Sequence, residues 1–573
     1  MLPTRSIARL ARLACLGVAL GAATPAALAQ DGLTLYQTFN DTTTFLIDSA
    51  GTVVNSWSGT VSAGEAYYLM PDGDLMRTRT LTSGGGGVGG GFERLSYDGT
   101  VEWQFAFFDE IYTPHHDIEV LPNGNLLCFS WEEIGGDGAV ALGRDPSTVS
   151  LSFMPDAIFE LEPVGNKLAN VVWEWHARDH LVQDFDATKP NFGVIADHPE
   201  RIDVNWGLGG DWMHVNAIDY NPELDQIAIC VPNFHEIWII DHSTTTAEAA
   251  GSSGGNSGMG GDLLYRWGNP QTYGRGTEAD RVFYFIHDIQ WIEPGRPGEG
   301  NLIVYNNGQN RPTGNWSSID EWVPPVDTSG HYELLAGQAY GPSSLAWTYS
   351  DPGNFYSGII SGTERLRSGN TLITEGTPGR LFEVDPLGNI VWTYQVGGAL
   401  PWVFKARRYD DCDLDGVYDG HEIAQGALDG NGNNQLDECE APENYCEASV
   451  NTSGSAASMS WSGSTSLAAN DLVLSAGPCP AGVPGLFAFS AAQGSTPLGE
   501  GTLCIAGPIS RLGVAFVNGA GQATFAFDNQ ALPGTAPPLV PGTEWNFTYW
   551  FRDVMGGPEG SNLADGLRVV FLP

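Results

Sequence analysis

Between residues 33 and 409 one alternation of apolar and polar positions recurs. Apolar residues at every second position, interrupted by Asp-Gly, Asn-Gly or Pro-containing turns, predict antiparallel hairpins. One half of the repeat is a turn followed by an apolar strand. It reads MPDGDLM (70–76), LPNGNLLCF (121–129) and LRSGNTLIT (366–374), and more loosely DYNPELDQIAICV (219–231) and IEPGRPGEGNLIVY (292–305). The other half ends in tryptophan: FLIDSAGTVVNSW (45–57), FERLSYDGTVEW (92–103), IFELEPVGNKLANVVWEW (158–175) and LFEVDPLGNIVWTY (381–394), with LLYRW (263–267) and SLAWTY (344–349) as short versions. Four short strands per unit, repeated around a chain of this length, predict a β-propeller. The outer tryptophans Trp57, Trp103, Trp175, Trp267, Trp347 and Trp392 count six blades.

The phase of the repeat predicts how the ring closes. The chain starts on an outer-strand pair, Thr44 to Trp57, and ends on an inner-type strand, Trp402 to Ala406. Together these two pieces should complete one blade and remove an exposed sheet edge, with the propeller spanning residues 30–409.

Aligning the inner strands on the turn that follows each of them places Glu65, His116, His214, His287 and Ser361 at equivalent starts near one mouth, with the sixth somewhere in 402–408, close to Arg407 and Arg408. A single histidine at a strand start is commonly structural. Three in register on one rim point to chemistry. Either they hold a metal with an open position, or one imidazole is a nucleophile and the others are donors.

Composition narrows the setting. The chain is rich in turn formers (74 Gly, 35 Pro) with 18 Trp, as an all-β protein is. Arg5, Arg9 and Arg12, an apolar stretch from Leu13 to about Ala23, and Ala27-Leu28-Ala29 before Gln30 predict a signal peptide over residues 1–29. The mature protein is then expected to be exported, periplasmic or extracellular, and soluble once the signal is removed. A net charge of −43 argues against nucleic acid and anionic membranes as partners. Seven cysteines follow the signal, so at least one is free. Cys412 and Cys439 are the expected disulfide pair, and Cys128 and Cys230 are expected as buried thiols. The GGGGVGGG run (84–91) lacks the lysine of a phosphate-binding loop and is expected to be a flexible loop.

The segments His115-His116-Asp117 before LPNGNLL, DWMHVNA (211–217), HDIQW (287–291), YNNGQNR (305–311) and SGTERLRSGNTLITEGTPGRLFEVDPLGNIVW (361–392) together resemble the arylsulfate sulfotransferase family. The resemblance covers roughly residues 40–409. It implies a six-bladed periplasmic propeller that moves a sulfuryl group from an aryl sulfate to a phenolic acceptor through a sulfurylated histidine, without a nucleotide donor. It further implies His287 as nucleophile, His116 and His214 as oxygen-stabilising or proton-shuttling partners, and Asn216, Asn307, Arg311 and His115 as substrate-binding residues. Family members carry an arginine on the strand after the His-x-Asn motif. Here IAICVPNFHEIWII (227–240) offers Asn233 or His235 at that place, leaving Arg311, Arg380 or Arg407 to reach in from another blade. The alternative is a non-catalytic secreted or cell-surface propeller whose mouth binds a ligand.

Past residue 410 the pattern changes. Asp411, Asp413, Asp415, Val417, Asp419 and Glu422 stand at the ligand positions of an EF-hand-type loop, with Gly416 at the sharp turn. Asp429, Asn431, Asn433, Gln435, Asp437 and Glu440 repeat the spacing. Residues 410–441 are therefore expected to be tandem, dockerin-like loops binding structural calcium. Residues 442–573, rich in Gly, Ser and Ala with short strands, read as a β-sandwich-like module. Surface attachment and carbohydrate contact are the roles weighed for it.

Overall fold

The computed structural model describes residues 29–83, 87–412, 414–427, 429, 436, 439, 442–533, 538–540 and 543–571. The signal-peptide reading, residues 84–86 of the glycine run, and Asp413, Asn431, Asn433, Gln435, Asp437 and Glu440 lie outside the described residues.

Six four-stranded antiparallel sheets form the propeller. Five are consecutive in sequence, running outward from inner strands Ala63–Leu69, Tyr112–Val120, Ala217–Asn221, Ile286–Trp291 and Gly362–Arg365. The sixth closes the ring. Leu33–Gln37, Thr43–Ile47 and Val53–Ser58 come from the N-terminal side, and Arg407–Tyr409 pairs with Leu33–Leu35 as its innermost strand. Closure is therefore three strands plus one. A strand at Leu33–Gln37 precedes the expected outer pair, and the inner strand is Arg407–Tyr409 rather than Trp402–Ala406. Within that stretch Val403 makes only an isolated bridge to Thr38.

The tryptophans that count the blades also join them. Each indole N–H donates to a main-chain carbonyl of the following blade: Trp57 to Ser96 (3.0 Å), Trp103 to Leu168 (2.9 Å), Trp175 to Gly261 (2.7 Å), Trp267 to Pro342 (3.1 Å), Trp347 to Pro386 (3.0 Å) and Trp392 to Ser49 (2.7 Å). The large apolar ring fills the gap between twisted sheets, and its one polar atom is satisfied across that gap.

After Tyr409 the chain turns under the propeller. Tyr418 packs edge-on against Tyr409, and the His421 ring stacks on Tyr97 at 3.9 Å. The helix Asp419–Ala424 begins within the first acidic loop and carries its last two ligand positions, Asp419 and Glu422. Cys412 pairs with Cys439, and a second disulfide joins Cys446 to Cys504. Cys128, Cys230 and Cys479 are buried free thiols. The C-terminal module packs a sheet built on Pro484–Ser490, Glu544–Arg552 and Gly566–Val570 against a smaller one of Ser458–Ser462, Val473–Gly477 and Ala523–Ala526. Phe487, Phe489, Phe547, Leu474 and Met459 lie in the core of this module. Among the described residues no helix is long and apolar enough to cross a membrane.

Candidate functional site

At the mouth the inner strands do not begin regularly. The pairing register slips between Ala63 and Tyr67, between Pro114 and Ile118, and between His287 and Gln290. His116 (φ 51°), His214 (φ 57°), Asp288 (φ 58°) and Ile360 (φ 43°) adopt left-handed backbone. That conformation costs a non-glycine residue about 1–2 kcal/mol, and its concentration on one rim marks a site where geometry overrides local preference.

Three of the residues aligned from sequence come together there. The His116 and His214 rings lie 4.7 Å apart, edge to face. Phe404 lies 5.9 Å from both His116 and His287, and Phe285 stands 6.3 Å from His214 and 5.7 Å from His287. Two aromatic rings thus stand between the imidazoles and link all three.

Each imidazole has a distinct partner. Nδ1 of His287 lies 2.7 Å from Oδ1 of Asn307. The Asn307 amide nitrogen donates to Ser357 O (2.7 Å) and Ser361 Oγ (3.0 Å), so its oxygen faces the histidine. His287 must then carry its proton on Nδ1, leaving the Nε2 lone pair free. Burial lowers His287 to about 3, with the charges of His214 and Lys405 adding to the effect against the Asn307 hydrogen bond. Its ring is neutral at any physiological pH.

His214 is the opposite case. Its Nδ1 lies 2.5 Å from Asp211 Oδ2. Burial works against its charge, but the Asp211 hydrogen bond and carboxylate hold it above the ordinary histidine value. Of the three imidazoles His214 is therefore the one that most readily holds a second proton. His116 is buried, and burial together with the His214 charge pushes it well below the ordinary range. Its Nε2 lies 4.0 Å from Glu65 Oε2. Burial raises Glu65 to about 7, while the Gly87 N–H, donating at 3.0 Å, pulls the other way.

The floor of the site is ionic. Lys405 Nζ reaches Asp117 (2.6 Å), Asp288 (3.1 Å) and the Tyr68 hydroxyl (2.9 Å), and Arg407 forks onto Asp288 at 2.6 and 2.9 Å. Lys405 is fully buried and Asp117 and Asp288 nearly so. Each His-Asp dipeptide, 116–117 and 287–288, therefore sends its histidine to the mouth and its aspartate to the floor. Lys405 is not among the residues that the strand alignment picks out. The repeated His-Asp step and the basic run Lys405-Ala-Arg407-Arg408 are the signals for it that the sequence holds.

The other residues expected at the site fall elsewhere. Asn216 is buried, and one amide hydrogen is used on Ile286 O (2.8 Å), tying its blade to the strand that carries His287. His115 lies behind His116, stacked on Trp131 at 4.0 Å. The Arg311 guanidinium sits over Trp316 at 3.9 Å and donates to Ser318 (2.8 Å), and Arg380 pairs with Glu375 (2.7 Å). Neither makes a contact with the three histidines. Asn233 donates to Asp211 O (3.0 Å), and His235 Nδ1 accepts the Phe285 N–H (3.0 Å). Gly87 sits on the His116 ring, where an added Cβ would meet Cε1 at 2.0 Å, so this end of the glycine run covers the site.

The three histidines are not gathered as metal ligands are. Among the described residues the one group of three or more His, Cys, Asp or Glu ligand atoms lying within 4.8 Å of one another is Cys412, Asp419 and Cys439, and both sulfurs there are in a disulfide.

The family model described as Arylsulfotransferase (ASST) matches residues 22–395. The chain belongs to the arylsulfotransferase family. That membership supports a general aryl sulfotransferase function. No curated protein matches the chain. Solved structures with some likeness include a protein of unknown function from Bacteroides caccae, with 10% identity over 66% of this chain and 98% of its own and a TM-score of 0.38. A streptogramin B lyase gives 12%, 65%, 82% and 0.33. The virginiamycin B lyase from Staphylococcus aureus gives 10%, 65%, 87% and 0.32. In this arylsulfotransferase-family chain the arginine expected near Asn233 is absent; the cations beside the cluster are Lys405 and Arg407, and Asp211 raises His214 above the ordinary histidine value.

Proposed function

We propose that this protein transfers a sulfuryl group from an aryl sulfate to a phenolic acceptor by way of a sulfurylated His287, with no nucleotide donor. The observation that carries this reading is the 2.7 Å His287–Asn307 hydrogen bond, which leaves the Nε2 lone pair of a neutral imidazole free. In the donor step the Nε2 lone pair attacks sulfur and the aryl oxide leaves. In the acceptor step a phenol oxygen attacks the same sulfur and Nε2 takes back its electron pair. Charge on the three sulfuryl oxygens needs fixed donors. His214, as an imidazolium, is the nearest to hand, and Phe285 and Phe404 supply walls for flat aryl rings. The protein acts outside the cytoplasm, periplasmic or extracellular, where a nucleotide donor is absent.

We further infer that the junction holds structural calcium. The donor set of the first loop is hard oxygen: Asp411, Asp415, Asp419 and Glu422, with the Val417 carbonyl. Its backbone already wraps these groups. The Gly416 N–H donates to Asp411 (3.2 Å), Val417 N–H to Asp415 (2.8 Å) and Cys412 N–H to Asp419 (3.0 Å), and Gly416 takes φ +89°.

Incubation of the full chain with 4-nitrophenyl sulfate and phenol tests the main reading. The expected result is nitrophenol release with phenyl sulfate formed, both lost in His287→Ala. No transfer by the wild type, or unchanged transfer by His287→Ala, overturns it.

A further inference from the structure

Behind His116 runs a chain of buried groups that the sulfuryl transfer itself does not use. Nδ1 of His116 lies 2.8 Å from Nδ1 of His115, and Nε2 of His115 lies 2.7 Å from Oδ1 of Asp156. Asp156 Oδ2 accepts the Val215 N–H at 3.2 Å. All three side chains are buried: Asp156 is 0%, His115 2% and His116 4% exposed. Trp131 stacks on His115, and its indole N–H donates to Asp211 (2.9 Å), the partner of His214, which fixes the His115 ring against rotation.

An Nδ1–Nδ1 hydrogen bond between two imidazoles needs one proton and one lone pair. Only two neutral arrangements of the histidines satisfy the whole chain. In the first, Asp156 is a carboxylate, His115 carries its proton on Nε2, His116 carries its own on Nδ1, and the lone pair of His116 Nε2 is left free, 4.0 Å from Glu65 Oε2. In the second, Asp156 is protonated, His115 carries its proton on Nδ1, and His116 carries its proton on Nε2. The two differ by one proton, entering or leaving at His116 Nε2.

We propose that Asp156, His115 and His116 form a proton relay that takes up the acceptor's phenolic proton at His116 Nε2 and stores it on Asp156. This rests on the sulfuryl-transfer reading above. In the acceptor step the phenol O–H breaks, its proton goes to His116 Nε2, and the oxygen electron pair forms the O–S bond. The S–N bond to His287 breaks with its pair returning to Nε2. The His116 Nδ1 proton moves to His115 Nδ1, and the His115 Nε2 proton moves to Asp156. In the next donor step the departing aryl oxide, or water where the oxide is as weak a base as nitrophenoxide, takes the proton from His116 Nε2 and the relay runs back, so no proton is gained over a cycle. Burial supports this direction, because it raises Asp156 well above the carboxylate range and lowers both histidines. The relay ends neutral and avoids a buried imidazolium. His116 touches the substrate and is the catalytic member, while His115 and Asp156 act through it. The titratable groups facing His116 from neighbouring blades are Glu65, His214 with Asp211, and His287, with Lys405 and Asp117 beneath.

Two measurements test the relay. The first is histidine nitrogen NMR of the wild-type protein across pH. The expected result is that the unprotonated nitrogen of His116 changes from Nε2 to Nδ1 as one proton is taken up, with no imidazolium. A single fixed tautomer, or titration of His116 to imidazolium, overturns the relay, and this readout does not depend on activity. The second is Asp156→Asn, which keeps the shape but cannot take the proton. Nitrophenoxide release in the donor step, where a good leaving group needs no proton, should stay within about 3-fold of the wild type. Transfer to a neutral phenol should fall by about 100-fold or more, and transfer to a phenol already ionised at the assay pH far less. Equal loss with both acceptors, or no loss with either, overturns it. A wild type with the expected tautomer change but no sulfuryl transfer would sink the functional reading and leave the relay standing.

Discussion

His287 and Asn307 meet at 2.7 Å within a single blade, because Asn307 lies one residue past Leu302–Asn306, the strand paired with Ile286–Trp291. The contact selects the Nδ1–H tautomer. In Asn307→Ala the ring loses that selection. The rate of the first nitrophenol burst should fall by about 10- to 100-fold with binding of the donor little changed, as expected when a nucleophile is misoriented. Stopped-flow release of nitrophenol measures it.

The pH dependence should be set by His214 rather than His287. His287 is lowered to about 3 and stays neutral over the working range. His214 is raised, so its charge is present below its folded value and lost as pH rises through it. Activity should fall on an alkaline limb above the ordinary histidine value of about 6.5. Asp211→Asn should move that limb to lower pH. A profile of kcat/KM against pH for both proteins checks the direction.

Lys405 balances two buried carboxylates together with Arg407. Lys405→Met removes the ion pair of Asp117 and leaves Asp288 with Arg407 alone. Breaking a buried charge set in this way typically costs about 3–5 kcal/mol. Denaturant unfolding followed by tryptophan fluorescence should show a lower midpoint.

Gly87 cannot take a side chain without moving His116, since a Cβ would meet Cε1 at 2.0 Å, and its φ of +87° disfavours other residues. Gly87→Ala should reduce transfer by about 10-fold or more, because a displacement near 1 Å at a reacting group is costly. Activity assays alongside a melting curve separate this from a simple loss of folding.

Calcium should raise the melting temperature of the full chain, and a chelator should lower it. Saturation at about 100 times Kd corresponds to about 2.7 kcal/mol. Asp415→Asn should weaken the response by removing a loop carboxylate. Differential scanning calorimetry with and without calcium gives the result.

Much of the fold was written in local pattern. The turn-and-strand repeat and the six outer tryptophans require only residues near one another in sequence, so the blade count was legible. So were His116 and His287, each four residues before the end of its inner strand, whereas His214 lies three residues before its strand Ala217–Asn221 begins and is brought to the others by the fold. The division of the closing blade was not. Leu33–Gln37 carries no turn signature, and the strand at Arg407–Tyr409 is short and polar, so only its pairing with Leu33–Leu35 defines it. Chemistry that depends on remote partners was equally invisible. Lys405 and Asp117 are 288 residues apart, and His115 and Asp156 are 41 apart on different strands. The sequence alone determined the blades and the inner strands on which His116 and His287 stand. The tertiary structure decided their tautomers and charges, because a buried imidazole takes its state from the groups the ring brings against it.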